Sequence, residues 1–156
     1  MAVIDWRHRV EALYRDDADR LWRAVRAFAG DPDIASEAVS EAYAQVLGRG
    51  SAVRDPAAWV WRSAFRIAAG ALKVRRSGDG LSWGPAEHID RYEDADLLAA
   101  LRRLPDAQRA AVILFYYADL PIGDIAARLG SNGLAVRANL SRGRRRLHEL
   151  LGDRSD

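Results

Sequence analysis

Arg137, Asn139, Arg142, Arg144, Arg145 and Arg146 stand close together near the carboxyl end of the chain, with no acidic residue between Ser131 and His148. These side chains donate hydrogen bonds in fixed geometries. An arginine fork matches guanine O6 and N7, and an asparagine amide pairs with adenine N6 and N7. Val136, Leu140, Leu147 and Leu151 recur at spacings of four, seven and four, which puts one apolar stripe on a helix and leaves the arginines on its other faces. The chemistry offered is recognition rather than bond-making. Just before this segment, Ile122 to Leu129 reads as a short helix and Gly130-Ser131-Asn132 as a tight turn. Asn132 is a good N-cap and would orient the positive end of the second helix. This is the pattern of a helix-turn-helix whose second helix lies in the major groove of DNA. Arg137, Ala138, Asn139, Ser141 and Arg142 are then the candidates for base contact, and Arg144, Arg145 and Arg146 for phosphate.

A second group combines rings and cations: Trp59, Trp61, Arg62, Phe65, Arg66, Lys73, Arg75 and Arg76. Aromatic faces and cationic side chains together can hold unstacked bases. Arg62, Arg66 and Lys73 follow a spacing of four and then seven, so they share one helical face suited to backbone phosphate. Trp59 and Val60 fall on the apolar stripe, so Trp59 is expected in the core. Trp61 divides evenly between core and surface.

A third group is acidic and polar. Glu37, Ser40, Glu41 and Gln45 line one side of a predicted helix, with Tyr43 nearby. Glu37 and Glu41 are four apart, so both carboxylates share a face that could meet basic residues of a partner. Spacing alone favours an ordinary solvated face.

Catalysis is not indicated. His8, His88 and His148 are scattered, and no P-loop or dinucleotide fingerprint is present. Asp16-Asp17 and Asp31-x-Asp33 suit helix caps and solvent. The sequence has no cysteine, so disulfides and cysteine-ligated zinc are excluded, and no metal or cofactor is expected. The chain is read as a binding protein, not an enzyme.

The elements that position these groups are almost all helical. With 156 residues and 49% hydrophobic content, a folded chain of one average or two small domains is expected. A first helix runs from about Trp6 to Ala29, with Val10, Leu13, Tyr14, Leu21, Val25 and Phe28 as its buried stripe. Gly30 ends it, and Asp31-Pro32 restarts the chain with a cap and a proline at the first helical position. The second helix carries Ile34, Ala38, Val39, Ala42, Tyr43, Val46 and Leu47. After Gly48-Arg49-Gly50-Ser51, Asp55-Pro56 repeats the cap and opens a third helix to about Arg76. Ser77 to Glu87 has three glycines and Pro85 and reads as a linker. A fourth helix near Arg91 carries Leu97, Leu98, Leu101 and Leu104. Pro105-Asp106 marks a boundary, and Val112, Ile113, Phe115 and Tyr116 lead to the helix-turn-helix. The expected fold is all-α: two small helical domains, 1–76 and 91–156, joined by a linker over 77–90.

Net charge is only +2, but its distribution is uneven. Ser77 to Asp96 holds one base and six acids, whereas Leu97 onward holds ten arginines against six acids. Such asymmetry suits segments with different partners. There is no signal-peptide pattern and no stretch able to cross a bilayer, so a cytoplasmic protein without membrane insertion is expected.

Three stretches of the second half are similar to the extracytoplasmic-function (ECF) sigma factors, small initiation subunits of bacterial RNA polymerase. They are Leu104-Pro105-Asp106-Ala107-Gln108-Arg109, Ile125 to Gly130, and Val136 to Leu147. In the first half the resemblance runs through Leu13-Tyr14-Arg15, Gly30-Asp31-Pro32, Ala38 to Tyr43 and Ala58 to Arg62. Departures fall at Ser131, usually aliphatic, Ala135, usually threonine, Arg66, commonly asparagine, Gly70, commonly aspartate, and Ser40, commonly glutamine.

The resemblance implies a protein that directs RNA polymerase to specific promoters. Glu37, Ser40, Glu41, Tyr43 and Gln45 would bind core polymerase. The helix carrying Arg137 to Arg146 would read the upstream promoter element. Trp61, Arg62, Arg66, Lys73, Arg75 and Arg76 would serve the downstream element and its melting. RNA polymerase core and promoter DNA are the implied partners, and an anti-sigma factor is a common one in the family. Two other readings remain open on the residues: a sigma-like module that sequesters an anti-sigma factor, and a stand-alone helix-turn-helix regulator.

Overall fold

In the computed structural model, which describes residues 2–77 and 92–152, caps and glycines set several of the helix ends. Helix α1 spans Ala2–Ala29, α2 Pro32–Arg49 and α3 Pro56–Ser77, with a short 3-10 turn at Gly50–Ala52 before α3. Helix α4 spans Tyr92–Arg102, and α5 (Asp106–Val112) runs into a π-helical turn at Ile113–Tyr117. Helices α6 (Ile122–Leu129) and α7 (Gly133–Gly152) complete the fold. Among the described residues there is no strand. The linker expected over 77–90 lies almost wholly outside the described residues.

The predicted caps form. Asp31 Oδ1 accepts from the backbone N–H groups of Asp33 (2.8 Å) and Ile34 (3.4 Å), and Pro32 takes the first turn of α2. Asp55 Oδ1 accepts from Ala58 N–H at 3.1 Å. These carboxylates satisfy donors that a helix start leaves unpaired. Gly30 ends α1 at φ +72°, a left-handed conformation that favours glycine.

Asp31 does a second job. Arg75 near the end of α3 forms a salt bridge with its carboxylate at 2.7 Å. Burial pushes the Asp31 carboxyl up. The hydrogen bonds from Arg75 and from the Asp33 and Ile34 backbone outweigh burial, leaving it below its ordinary value of 3.8. A carboxylate lowered in the folded state adds stability above its unfolded pKa and loses it as pH falls through the folded pKa. Asp31→Asn is therefore expected to cost about 1–2 kcal/mol at neutral pH. That deficit should shrink as pH falls below about 4. Urea unfolding of both proteins at pH 7 and pH 3 measures it.

Helices α1, α2 and α3 pack as a three-helix bundle, and α4 to α7 pack around Leu114, Ile125 and Val136. One hydrophobic cluster runs through both halves. Helix α3 packs on α6, and α1 meets α4, α5 and the π-helical turn. Polar contacts reinforce this joint: an Arg102 Nη donates to Gly30 O at 3.0 Å, and Arg20 donates to Ala118 O. Gly143 lets α7 approach α5 closely. A Cβ there would lie 2.8 Å from Val112 Cγ2.

Several side chains fall elsewhere than their periodicity predicts. Tyr14, Leu47, Leu97 and Tyr116 are exposed, although each sits on a predicted apolar stripe. Trp59 is only partly buried. Trp6, Trp61, Phe65 and Arg109 are buried. Each helix is covered by neighbours at angles that a single-helix pattern does not contain.

Candidate nucleic-acid interface

Helices α6 and α7 are joined by a turn built from local chemistry. Gly130 adopts the left-handed conformation at φ +65°, and Ser131 N–H donates to Ala126 O at 2.8 Å. Asn132 Oδ1 accepts from Ala135 N–H at 2.9 Å, the predicted N-cap. Val136, Leu140 and Gly143 bury one face of α7, with Leu147 partly buried beside them. The core contact thus fixes which face points outward.

Arg137, Ser141, Arg142, Arg144, Arg145 and Arg146 are exposed on α7, and Ala138 and Asn139 are half-buried. Arg144 also donates to the Tyr116 hydroxyl at 2.9 Å. At 100° per residue, Ala138, Ser141 and Arg145 lie opposite the Val136–Leu140 stripe, with Arg137 and Arg142 on its flanks. Asn139 is turned from this row and lines a cleft between α7 and α3.

The α3 group divides. Arg62, Arg66 and Lys73 are exposed. Arg75 is held by Asp31, and the Arg76 side chain lies outside the described residues. Trp61 is fully buried, so it is a packing residue in this arrangement and not a surface ring awaiting a base. Its indole Nε1 donates to Asp17 Oδ2 at 2.6 Å. Arg128 from α6 covers the ring at 4.7 Å and Arg20 lies 5.6 Å from its centroid. Arg128 also stands 3.8 Å from Asp17 Oδ2, a charge contact too long for a hydrogen bond. Burial lowers the Arg128 pKa, opposed chiefly by the Asp17 charge. Phe65 is buried against Phe28 at 5.1 Å.

The cleft between the halves has a volume of about 810 Å³. Trp59, Arg62 and Arg66 line it from α3, and Ser131 and Asn139 line it from the helix-turn-helix. The Arg62 side chain lies against Gly130, where a Cβ would come within 3.0 Å of its Cδ. Residues read from sequence as serving two separate DNA elements therefore border one cavity.

On α2, Glu37, Ser40, Glu41 and Gln45 are exposed, and Gln45 Nε2 donates to Glu41 Oε1 at 3.0 Å. Tyr43 is not on that surface. It is 4% exposed, its hydroxyl donates to Leu13 O at 3.4 Å, and burial raises its phenol pKa. Its ring meets Tyr14 edge to face at 5.0 Å. Tyr14 (58% exposed) and Leu47 (48%) are the apolar groups presented near the α2 face. The spacing of both fits an inward stripe, and no sequence signal marks them as outward.

Among the described residues no three His, Cys, Asp or Glu side chains cluster to hold a metal, and no helix is long and apolar enough to cross a membrane.

Residues 94–147 match the family model described as Sigma-70, region 4. The turn, the cap and the outward arginines just described belong to that domain class. The chain is 29% identical to the RNA polymerase sigma factor SigV of Bacillus subtilis (strain 168), over 81% of each protein. It is also 29% identical to the ECF RNA polymerase sigma factor SigE of Mycolicibacterium smegmatis, covering 93% of this chain and 62% of that protein. The sigma factor RpoE of Bartonella quintana, solved in complex with the anti-sigma factor NepR, shares the fold: TM-score 0.71, 21% identity, 95% of this chain and 97% of that one. Residues 94–147 thus match a Sigma-70 region 4 domain, and over most of its length the chain is similar to sigma factors, two of the relatives just named being an RNA polymerase sigma factor and an ECF sigma factor.

Proposed function

We propose that this protein directs bacterial RNA polymerase to specific promoters, acting in the cytoplasm as a non-catalytic subunit. The observation that carries the reading is the outward face of α7, where Arg145 stands opposite the buried Val136–Leu140 stripe and exposed Arg137 and Arg142 flank it, in a match to Sigma-70 region 4. Arg137, Ala138, Ser141 and Arg142 read bases of the upstream element, while Arg144, Arg145 and Arg146 meet phosphate. Glu37, Ser40, Glu41 and Gln45 on α2, with Tyr14 and Leu47 beside them, dock on core polymerase. Arg62, Arg66 and Lys73 engage the downstream element.

The functional division falls at the linker, with 1–76 serving core and downstream DNA and 91–156 serving the upstream element. The cleft that Arg62, Arg66 and Asn139 share is too small for a duplex whose major groove alone is about 12 Å wide. Full promoter engagement therefore requires the halves to part. Polymerase favours the parted state by binding both halves at a fixed separation. A protein that binds both halves while they stay together would be an anti-sigma factor, the kind of partner named for the structural relative.

Run-off transcription with purified core polymerase on a library of genomic fragments tests the proposal. Initiation at defined sites supports it. Failure to bind core favours a sequestering module, and tight operator binding without polymerase favours a stand-alone regulator. On a promoter found this way, Arg142→Ala is expected to weaken use of the upstream element by about ten- to a hundredfold, the worth of one bidentate base contact. Arg62→Ala should instead slow strand opening, read by permanganate footprinting over time. Unchanged activity in both variants refutes the assignments.

A further inference from the structure

The outward row of α7 begins one turn earlier than the arginines suggest. Leu134, Ala138, Ser141 and Arg145 follow at intervals of four, three and four, and all lie within one narrow arc opposite the buried stripe. Leu134 is 78% exposed, more than any other large hydrophobic residue among those described. A single exposed leucine needs no explanation on an ordinary surface. This one stands at the start of a helix whose other outward residues are cationic or small, with no acid before Glu149.

Its position is fixed from both sides. Asn132 caps the first turn through Ala135 N–H at 2.9 Å. Gly133 packs against α6, where a Cβ would lie 3.7 Å from Ile122 Cγ2. Leu134 therefore projects from an anchored turn, and the closed cleft between the halves does not cover it. In helix-turn-helix proteins the N-terminal residues of the second helix contact base edges. The major-groove edge of a base pair shows one apolar substituent, the thymine C5-methyl, and apolar side chains recognise it. Ala138, one turn on, has only a methyl group and lets the backbone approach the groove. The longer leucine reaches further at the tip.

We propose that Leu134 is a specificity residue that packs on a thymine methyl in the upstream promoter element. The inference rests on the reading above, that α7 lies in the major groove of that element. It adds an apolar selector for thymine beside the arginines that select guanine.

The test uses holoenzyme, assembled from the full chain and core polymerase, on a promoter defined by run-off transcription. Each thymine of the upstream element is replaced singly by deoxyuridine, which removes the methyl and keeps base pairing. At one position the half-saturating holoenzyme concentration should rise about three- to fivefold, the scale of burying one methyl group. Leu134→Ala should be weaker on the natural promoter and indifferent to that same replacement, closing a cycle that isolates the contact. Its thermal unfolding should match the wild type, because the side chain is exposed. An upstream element without thymine, no response to any replacement, or equal response in Leu134→Ala overturns the inference while promoter-directed initiation stands. Absence of any polymerase-dependent initiation overturns both.

Discussion

Trp61→Ala is expected to cost about 3–5 kcal/mol of folding stability, the range for truncating a fully buried large aromatic side chain. The ring is 0% exposed and fills the junction of α1, α3 and α6. Removing it leaves a cavity and withdraws the indole N–H from Asp17 (2.6 Å). It also strips Arg128 of the surface it covers at 4.7 Å. Arg128 then keeps the 3.8 Å charge contact to Asp17 and the weaker charges of Asp124 and Asp55, in a setting where burial already disfavours its charge. Trp61→Phe separates these effects. It preserves much of the volume and the ring face and deletes the N–H, so a loss of about 1–2 kcal/mol is expected. Guanidinium unfolding of the three proteins gives the comparison. A loss below about 1 kcal/mol for alanine would mean that the ring does not fill the junction.

The Trp61 cluster also bears on how the halves part. Asp17 and Arg20 belong to α1, Trp61 to α3 and Arg128 to α6, so the ring is shielded by a cation from the opposite half. Parting the halves removes Arg128 from the ring and withdraws Arg62 from Gly130. On the proposed function, one movement would uncover a face of Trp61 and free the already exposed Arg62 from Gly130. The Arg20–Asp17 pair lies within α1 and is untouched by this movement, whereas the hydrogen bond from Arg20 to Ala118 O crosses the joint and would have to break. On the same proposal, the hydrophobic contact beneath these charges would have to be replaced by polymerase and DNA contacts for a parted state to dominate.

Helix ends were legible in the sequence because caps are local. Asp31-Pro32, Asp55-Pro56 and Gly130-Ser131-Asn132 need only their immediate neighbours to act, and all three form as expected. The outward face of α7 was legible for a related reason, since Val136 and Leu140 define an unambiguous core side. Helix α3 was not. Its stripe was drawn through Trp59 and Val60, which suits a helix covered on one side. Packing of α6 on a second side sinks Trp61, Phe28 of α1 meets Phe65, and Trp59 is left half-covered. Tyr14 and Leu47 show the converse, apolar residues at periodic positions that stay exposed, with Tyr14 meeting a ring only at Tyr43, edge to face, among the described residues. Leu134 carries no charge or motif that marks it in the sequence, and only its exposure on the cationic face does so.

Arg109 is the clearest case of a role that no local pattern reveals, and it leads to the second large effect. An arginine between Gln108 and Ala110 reads as a solvent-facing charge, yet this one is 5% exposed. Its Nη1 donates to Leu104 O at 2.9 Å and its Nη2 to Asp106 Oδ1 at 3.0 Å, which staples the turn between α4 and α5. The guanidinium plane lies 4.4 Å from the centre of the Phe28 ring on α1, so the staple also joins the two halves. Arg109→Ala is expected to lose about 2–4 kcal/mol, combining charge-assisted hydrogen bonds with a buried cation–π contact. The bond to Asp106 adds least, because that carboxylate side chain is 40% exposed. Arg109→Lys keeps the charge but lacks the planar fork, and should recover less than half of the loss. Arg109→Met keeps the contact with Phe28 while deleting every donor, and should fall between alanine and wild type. Chemical unfolding ranks the four proteins. Amide exchange should show faster opening of the Leu104 turn in all three variants and of the Phe28 turn chiefly in Arg109→Ala. Full stability in Arg109→Lys would mean that charge alone suffices there and that the two-pronged hydrogen bonding contributes nothing.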